Sequence, residues 1–460
     1  MGARLDRWRR RARVGRLTVR RGAHWLVTQV RGRRADEARR AELEERFAIR
    51  SAEDVARELG QMKGAAMKLG QMVGFVADGL PPAAQDALAQ LQQAAPAMAP
   101  GLAARVVEEE LGAPPERLFL EWEPVPVAAA SIGQVHRAVL HDGRRVAVKV
   151  QYPGVEQAIR TDLDDAERLT PLLSSFTLPG LDVHALVDEL RRRMADELDY
   201  RHEAAAQEAF ADRYAGHPFV RIPRVVPERS ARRVLTTEWV DGATFAELLD
   251  DGSSVASPAL RQHVAEVVFR FVQGSLHEHR TFNADPHPGN YRFHRDGTVT
   301  FLDFGLVKAF TTAEYESLVP TIDHVLARDA VGLVAAMEGA GFLHAGHGLD
   351  PERVFGTVSA PYVAYLEDTY TFTPDYARVA MAALLDVRGP NADVLAALDM
   401  PPSFVLLDRV VWGVSSMLGR LEASNRWRGI LVEYLHGGPP VTDLGREEQR
   451  WRERRGGAGA

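Results

Sequence analysis

The sequence predicts an α+β fold of two lobes, a small sheet-rich lobe and then a larger helical one, behind an all-helical extension. Three observations carry this. Strand-period segments cluster between Glu121 and Val240, with apolar residues alternating at Val146, Val148 and Val150. Helical patterning dominates from Pro258 onward, broken by one short hairpin. No strand pattern precedes Glu121. At 460 residues and 46% hydrophobic content, the chain can bury cores of this size.

The elements follow in order. Residues 1–34 read as a basic arm. Residues 1–40 hold fourteen Arg, no Lys and three acids, a charge of +11, which leaves −18 for the remainder of a chain with net charge −7. Trp8, Leu17, Val19, Trp25, Leu26 and Val30 are interleaved with the Arg. A basic segment with Trp suits an anionic membrane surface, and equally a plain solvated arm. No recognition motif follows, so nucleic acid is not expected.

Residues 35–115 form the helical extension. Ser51-Ala-Glu-Asp is a capping start, Pro81-Pro82 a break, and Pro96 and Pro100 mark the next connection. Residues 116–242 form the small lobe. Glu121–Val127 and Ala128–Leu140 have strand character, an Asp142-Gly143 turn follows, and Arg144–Gln151 is the next strand. A helix is expected around 182–211, then strands at Val220–Val226 and Arg233–Val240. Residues 243–440 form the large lobe. Pro402–Leu418 is an amphipathic stretch interrupted by Asp408 and Arg409, which suits a core-facing helix better than a membrane anchor. Residues 441–460 read as a charged, Gly-rich tail.

The absence of Cys excludes disulfides, thiolate metal sites and Cys nucleophiles. No run of 18 apolar residues suggests a spanning helix, and the N-terminus lacks a secretory h-region. The expected location is cytoplasmic, with peripheral contact at the inner face of the membrane through the basic arm.

The sharpest chemical signal is Asp285-Pro-His-Pro-Gly-Asn290, followed thirteen residues later by Asp303-Phe304-Gly305. Phosphoryl transfer needs a carboxylate to orient the attacking hydroxyl and oxygen ligands to hold Mg²⁺ against phosphates. An Asp, an Asn five residues on, and a DFG after a hairpin have the spacing of a protein-kinase-like phosphotransferase. Tyr291–Leu302 reads as strand, Asp-Gly turn, strand, which would bring Asn290 and Asp303 to one edge of the site.

Upstream, Val146-Ala-Val-Lys149 supplies a strand lysine of the kind that contacts α- and β-phosphates. Alone it would be a solvated strand face; its order before the Asp285 loop gives it meaning. The following helix offers Glu197, Asp199 and Glu203 as carboxylates to hold the lysine, and spacing leaves Glu197 and Glu203 both open. Ala128-Ala129-Ala130-Ser131 stands where a Gly-rich phosphate loop would be, with less backbone freedom than Gly allows. Lys68-Leu-Gly-Gln71 lies in the helical extension and by itself is an ordinary helix segment.

Together these motifs, with Gly133-Gln134-Val135-His136 and Ala284-Asp-Pro-His-Pro-Gly-Asn290, resemble the UbiB/AarF family of atypical protein-kinase-like proteins over about residues 50–310. The resemblance implies a protein-kinase-like fold and an atypical kinase or ATPase that binds ATP or ADP with Mg²⁺. It also implies a part in ubiquinone biosynthesis or isoprenoid-lipid handling. The family's functional residues carry over as Lys149 on the phosphates with Glu203 as its helix partner, and Asp285 as the catalytic Asp. Asn290 and Asp303 carry over as Mg²⁺ ligands, and Ala128–Ser131 with Glu238 and Val240 of the hinge as nucleotide contacts. Glu197 and Asp199 match the family's Glu-x-Asp pair, which faces the Lys68–Gln71 helix. An isoprenoid or other lipid is the implied partner, and a homodimer is compatible with it. Two departures stand out: Asn283 replaces the usual His two residues before Asp285, and Ala206 stands where an Asn often follows Glu-Ala. A nucleotide-gated lipid-binding regulator that transfers nothing, and a small-molecule phosphotransferase, are the competing functions.

Overall fold

The computed structural model describes residues 100–130, 132–157, 198–253, 257–344, 346–376 and 389–457. The chain divides into two compact units, and the second, residues 97–153, 178–181 and 189–460, contains both lobes. The basic arm, the extension up to residue 99, and the site candidates Lys68, Gln71, Ser131 and Glu197 lie outside the described residues.

The small lobe begins with α1 (Pro100–Leu111) and α2 (Pro115–Leu118), then β1 (Glu121–Trp122), β2 (Ala128–Ala130), β3 (Gly133–Val139) and β4 (Arg145–Gln151). After α3 (Tyr200–Arg213) and β5 (Val220–Arg221), β6 (Val234–Glu238) completes an antiparallel sheet of order β1-β3-β4-β6, with β2 also on β3. Alternation does the sorting. Val146, Val148 and Val150 are fully buried against Val106, Val107 and Phe119, while Lys149 points to the other face. The helical block read over 35–115 therefore does not stop short of this lobe. Its last helix, α1, shares the small lobe's core because Ala103, Val106 and Val107 form one apolar stripe.

Gly133 is required by close approach. A Cβ there would lie 2.2 Å from the Val150 carbonyl oxygen. The run Ala128–Ala130, which stands where a phosphate loop would be, has the strand form its pattern suggested, paired Ala128 to Val135 and Ala130 to Gly133.

The expected strand Val220–Val226 is corrected. Only Val220–Arg221 is a strand, and it pairs in parallel with the large lobe, while Val225 makes an isolated bridge to Thr237. Pro223 and Pro227 lack the amide donors that a continuous strand needs.

The large lobe runs α4 (Phe245–Leu249), α5 (Pro258–His279), β7 (Thr281–Asn283), β8 (Tyr291–Phe293), β9 (Val299–Phe301), β10 (Val307–Ala309), α6 (Thr312–Ala327), α7 (Ala330–Gly339), α8 (Pro351–Val358), β11 (Tyr370–Thr371), α9 (Ala392–Ala397), α10 (Pro402–Arg420), β12 (Ser424–Asn425), α11 (Trp427–His436) and α12 (Asp443–Gly457). α5 starts on a Ser257 cap and ends on Arg280 in the left-handed region. It is the lobe's central helix, buried along most of its length. β8 and β9 form the expected hairpin, and β10 pairs antiparallel with β7.

α10 is a core-facing helix, with Leu407, Val410, Val414 and Met417 buried. Residues 441–460 were expected as a tail, but α12 occupies most of them. Leu444, Glu448 and Trp451 recur at helical spacing and are buried, so a segment that reads as charged docks by a narrow stripe. Among the described residues no helix is long and apolar enough to cross a membrane.

Candidate active site

The site lies where the two lobes meet, and four elements build it. β4 projects Lys149. Its ammonium reaches both carboxylate oxygens of Glu203 on α3, at 2.8 and 2.9 Å, and Oδ2 of Asp303 at 3.4 Å. The Tyr200 ring lies 5.0 Å from the same nitrogen. Burial works against the lysine's charge, but Asp303 and Glu203 outweigh it and hold its pKa well above the ordinary value. Spacing left Glu197 and Glu203 open; the structure places Glu203 on the lysine.

α3 does two jobs from one face. Glu203 and Phe210 are seven residues apart, two turns, and so lie in line. Glu203 holds Lys149, and Phe210 packs at 4.8 Å against Phe304 of the Asp303-Phe-Gly segment. Phe304 is 1% exposed, so this ring fixes the loop that carries Asp303.

The loop after β7 supplies Asp285 and Asn290. The Asn290 side-chain amide donates to Asp285 Oδ2 at 3.0 Å, and the Leu302 amide donates to the Asn290 carbonyl at 2.9 Å. The second bond closes the β8–β9 hairpin and sets Asn290 beside the Asp303 segment. Asp303 Oδ1 accepts from the Gly305 amide at 2.9 Å.

Asn283, the departure noted in the sequence, bridges the two loops. Its amide nitrogen donates to the Asp303 carbonyl at 2.5 Å, and its oxygen accepts from the Asp285 amide at 3.0 Å. A side chain with both a donor and an acceptor can span two backbones in this way.

The remaining candidates are placed as follows. Glu238 is exposed at the end of β6, and its carboxylate accepts from the Arg224 amide. Val240 is half-buried in the connection to the large lobe. Ala128 and Ala129 are exposed strand residues, and Ala130 is half-buried. Asp199 caps α3, accepting from the Arg201 amide at 3.1 Å, and pairs with the Arg201 guanidinium, which lowers its pKa. Asp199 is thus occupied locally, and Glu197, Ser131, Lys68 and Gln71 lie outside the described residues.

Sequence reading missed one residue at the centre. Arg409 of α10 donates to Asp285 Oδ1 at 2.8 Å, with both side chains about one-sixth exposed. Asp285 is therefore held on one oxygen by Asn290 and on the other by Arg409. The available signal was the Asp408-Arg409 interruption of an apolar run, since a charge in such a helix is costly unless it is used.

The donor set suits a hard divalent cation. Asn290 spends its amide nitrogen on Asp285, which leaves its amide oxygen available to a cation. Oxygen ligands with few protein groups, completed by phosphates and water, are what Mg²⁺ takes. Among the described residues no cluster of three or more His, Asp or Glu forms a separate metal site.

Known proteins carry the same organisation. Residues 90–337 match the family described as ABC1 atypical kinase-like domain. The atypical kinase COQ8B, mitochondrial, of Rattus norvegicus is 37% identical over 265 residues, covering 57% of this chain and 49% of that one. An uncharacterized chloroplastic aarF domain-containing protein kinase of Arabidopsis thaliana is 34% identical over 312 residues, covering 68% of this chain and 43% of its own. This chain thus spans about half the length of these curated relatives. A solved structure, the Rv3197–erythromycin complex from Mycobacterium tuberculosis, superposes with a TM-score of 0.62 at 31% identity, covering 87% of this chain and 98% of that one. The family match takes in Lys149, Glu203, Asp285, Asn290 and Asp303, and the chain belongs to the ABC1 atypical kinase-like family, the UbiB/AarF group.

Proposed function

We propose that this protein binds ATP or ADP with Mg²⁺ in the cleft between its lobes and acts as an atypical kinase or ATPase in isoprenoid-quinone or membrane-lipid metabolism. The observation that carries this reading is the convergence of Lys149, Glu203 and Asp303 within 3.4 Å. In this reading Lys149 contacts the phosphates, and Glu203 keeps it forward. Asn290 and Asp303 would hold Mg²⁺, which neutralises phosphate charge when bound. Asp285 orients the attacking hydroxyl or water, and Asn283 keeps its loop in register with Asp303. Glu238 and Val240 sit where the adenine would meet the chain. The lipid partner rests on the resemblance to the UbiB/AarF family, and anionic membrane contact on the basic arm.

Thermal-shift titration with ATP and ADP, with and without Mg²⁺, tests the reading. The expected result is Mg²⁺-dependent stabilisation by at least one nucleotide. Asp303→Asn should abolish the metal dependence, because it removes a charged oxygen ligand. Absence of any nucleotide-linked shift would sink the reading.

A second reading has its own support. Arg409 and Asn290 occupy both oxygens of Asp285, which suits a nucleotide-gated regulator that transfers nothing. Turnover of ATP with and without anionic vesicles or an isoprenoid quinone precursor separates the two. Phosphate appearing on a purified small metabolite would favour a small-molecule phosphotransferase. The mycobacterial neighbour was solved with erythromycin, so that macrolide belongs in the same ligand panel.

A further inference from the structure

The large lobe contains a second cavity, of about 110 Å³, on the far side of α10 from the catalytic loop's contacts. Val325, Met337, Phe342, Phe404 and Leu407 are among its walls, and nearly all of its lining is apolar. Four polar side chains break that lining, Asp408, Tyr362, Tyr365 and Thr321; the Tyr362 hydroxyl lies 3.4 Å from the Asp408 carboxyl, and the Thr321 hydroxyl is spent on the Ser317 carbonyl. Burial pushes the Asp408 carboxyl up to about 7, and the Tyr362 hydrogen bond offsets only part of that.

A carboxyl facing an apolar cavity with one weak hydroxyl partner is poorly solvated. Its lone pairs favour a donor, and its charge favours a cation. The cavity is somewhat smaller than the roughly 150 Å³ apolar cavity that takes benzene, so it fits about one ring.

One helix joins this cavity to the candidate active site. Asp408 lines the cavity, and its neighbour Arg409 holds Asp285. One turn after Arg409, Gly413 lets α10 press on the same loop, where a Cβ would sit 2.4 Å from Pro286 Cγ. The geometry points to a ligand site for a small apolar amine, its cation on Asp408 and its ring in the cavity, with occupancy felt at the Asp285 loop through α10. The role given to Asp285 rests on the proposed function; the amine site does not.

Benzylamine is the probe, benzyl alcohol its uncharged counterpart, and calorimetry of the full chain the first measurement. Wild type should bind benzylamine saturably and about tenfold more tightly than benzyl alcohol. Asp408→Asn keeps the shape, removes the charge and should erase that preference. No saturable amine binding, or equal amine binding by Asp408→Asn, would overturn the site. Tyr362→Phe should weaken amine binding by a few-fold; if Asp408→Asn fails to fold, an unchanged affinity in Tyr362→Phe overturns the site instead. Hydrogen exchange over residues 283–290 reads the coupling without any nucleotide. A change in protection on adding benzylamine is expected, and none would overturn the coupling. Failure of Mg²⁺–nucleotide binding would strike the proposed function and leave both of these readouts standing.

Discussion

Two clusters of buried charge in this protein use the same chemistry for different ends. At the candidate site, Lys149 meets Glu203 and Asp303 from two other elements, and its members are 18%, 8% and 34% exposed. In the large lobe, Arg270 of α5 meets Glu266, Glu433 and Glu448, and all four are less than a tenth exposed. Each carboxylate there has further donors. Asn425 and Thr442 donate to Glu266, the Val441 amide donates to Glu433, and Tyr434 donates to Glu448, which Arg452 also meets as an ion pair at 2.9 Å. The second cluster is closed by protein on all sides, and it ties α12 and α11 to the central helix. The first opens at Asp303 toward the cleft. A closed ionic network fixes a fold, whereas an open one can take a ligand.

The largest effect should come from the closed network. Arg270→Met leaves Glu266 and Glu433 buried without their counter-charge and takes one of two Arg partners from Glu448, which costs about 3–5 kcal/mol. Denaturant unfolding measures it. If the loss is below about 1 kcal/mol, the network is not what holds α12. Any nucleotide binding should survive in the fraction that remains folded, because no residue of this cluster touches the site.

The open cluster should behave in the opposite way. Lys149→Met leaves Glu203, 8% exposed, without its counter-charge, while Asp303 at 34% is open to the cleft, so stability should fall by about 1–3 kcal/mol, less than for Arg270→Met. Nucleotide affinity should fall at least about tenfold, or 1.4 kcal/mol. Paired thermal-shift and binding titrations on the same variant give both numbers. A large stability loss with unchanged affinity would reverse the assignment of the two clusters.

The sequence shows the site more clearly than the closed network, for a physical reason. Asp285, Asn290 and Asp303 belong to one short loop–hairpin–loop, so their spacing alone encodes their geometry. Lys149 is legible because its strand alternates against fully buried valines. Glu203 against Glu197 is not decided by spacing, because the sequence pattern places both in the one helix expected around 182–211. Arg409 comes 124 residues after Asp285 on a helix that otherwise reads as core. β7 and β10 to β12 are two or three residues long, too short for a period of two to register. α12 was missed because one of its three buried positions is Glu448, whose burial makes sense only once Arg270 and Arg452 are beside it.

The rim of the closed network offers the smallest and most discriminating test. Glu278 at the end of α5 pairs with Arg452 at 2.6 Å, yet burial pushes its carboxyl up to about 7, with Glu448 adding to the rise and Arg452 opposing it. A carboxyl whose folded pKa exceeds its unfolded value binds more protons in the folded state. Its contribution is therefore present in full below the unfolded value near 4.5, and is lost as pH rises toward and past 7. His217 works with the opposite slope. Burial lowers its pKa, so the unfolded chain takes up the proton first and stability falls as pH drops below about 6.5. Glu278→Gln removes only the first of these effects. It should stabilise the protein at pH 8 relative to pH 5, by at most about 1 kcal/mol because the carboxyl keeps contact with solvent. At pH 5 it should be close to neutral. Denaturant midpoints at the two pH values decide it. A loss of equal size at both would mean that Arg452, not burial, governs Glu278, and that the network stays closed out to its rim.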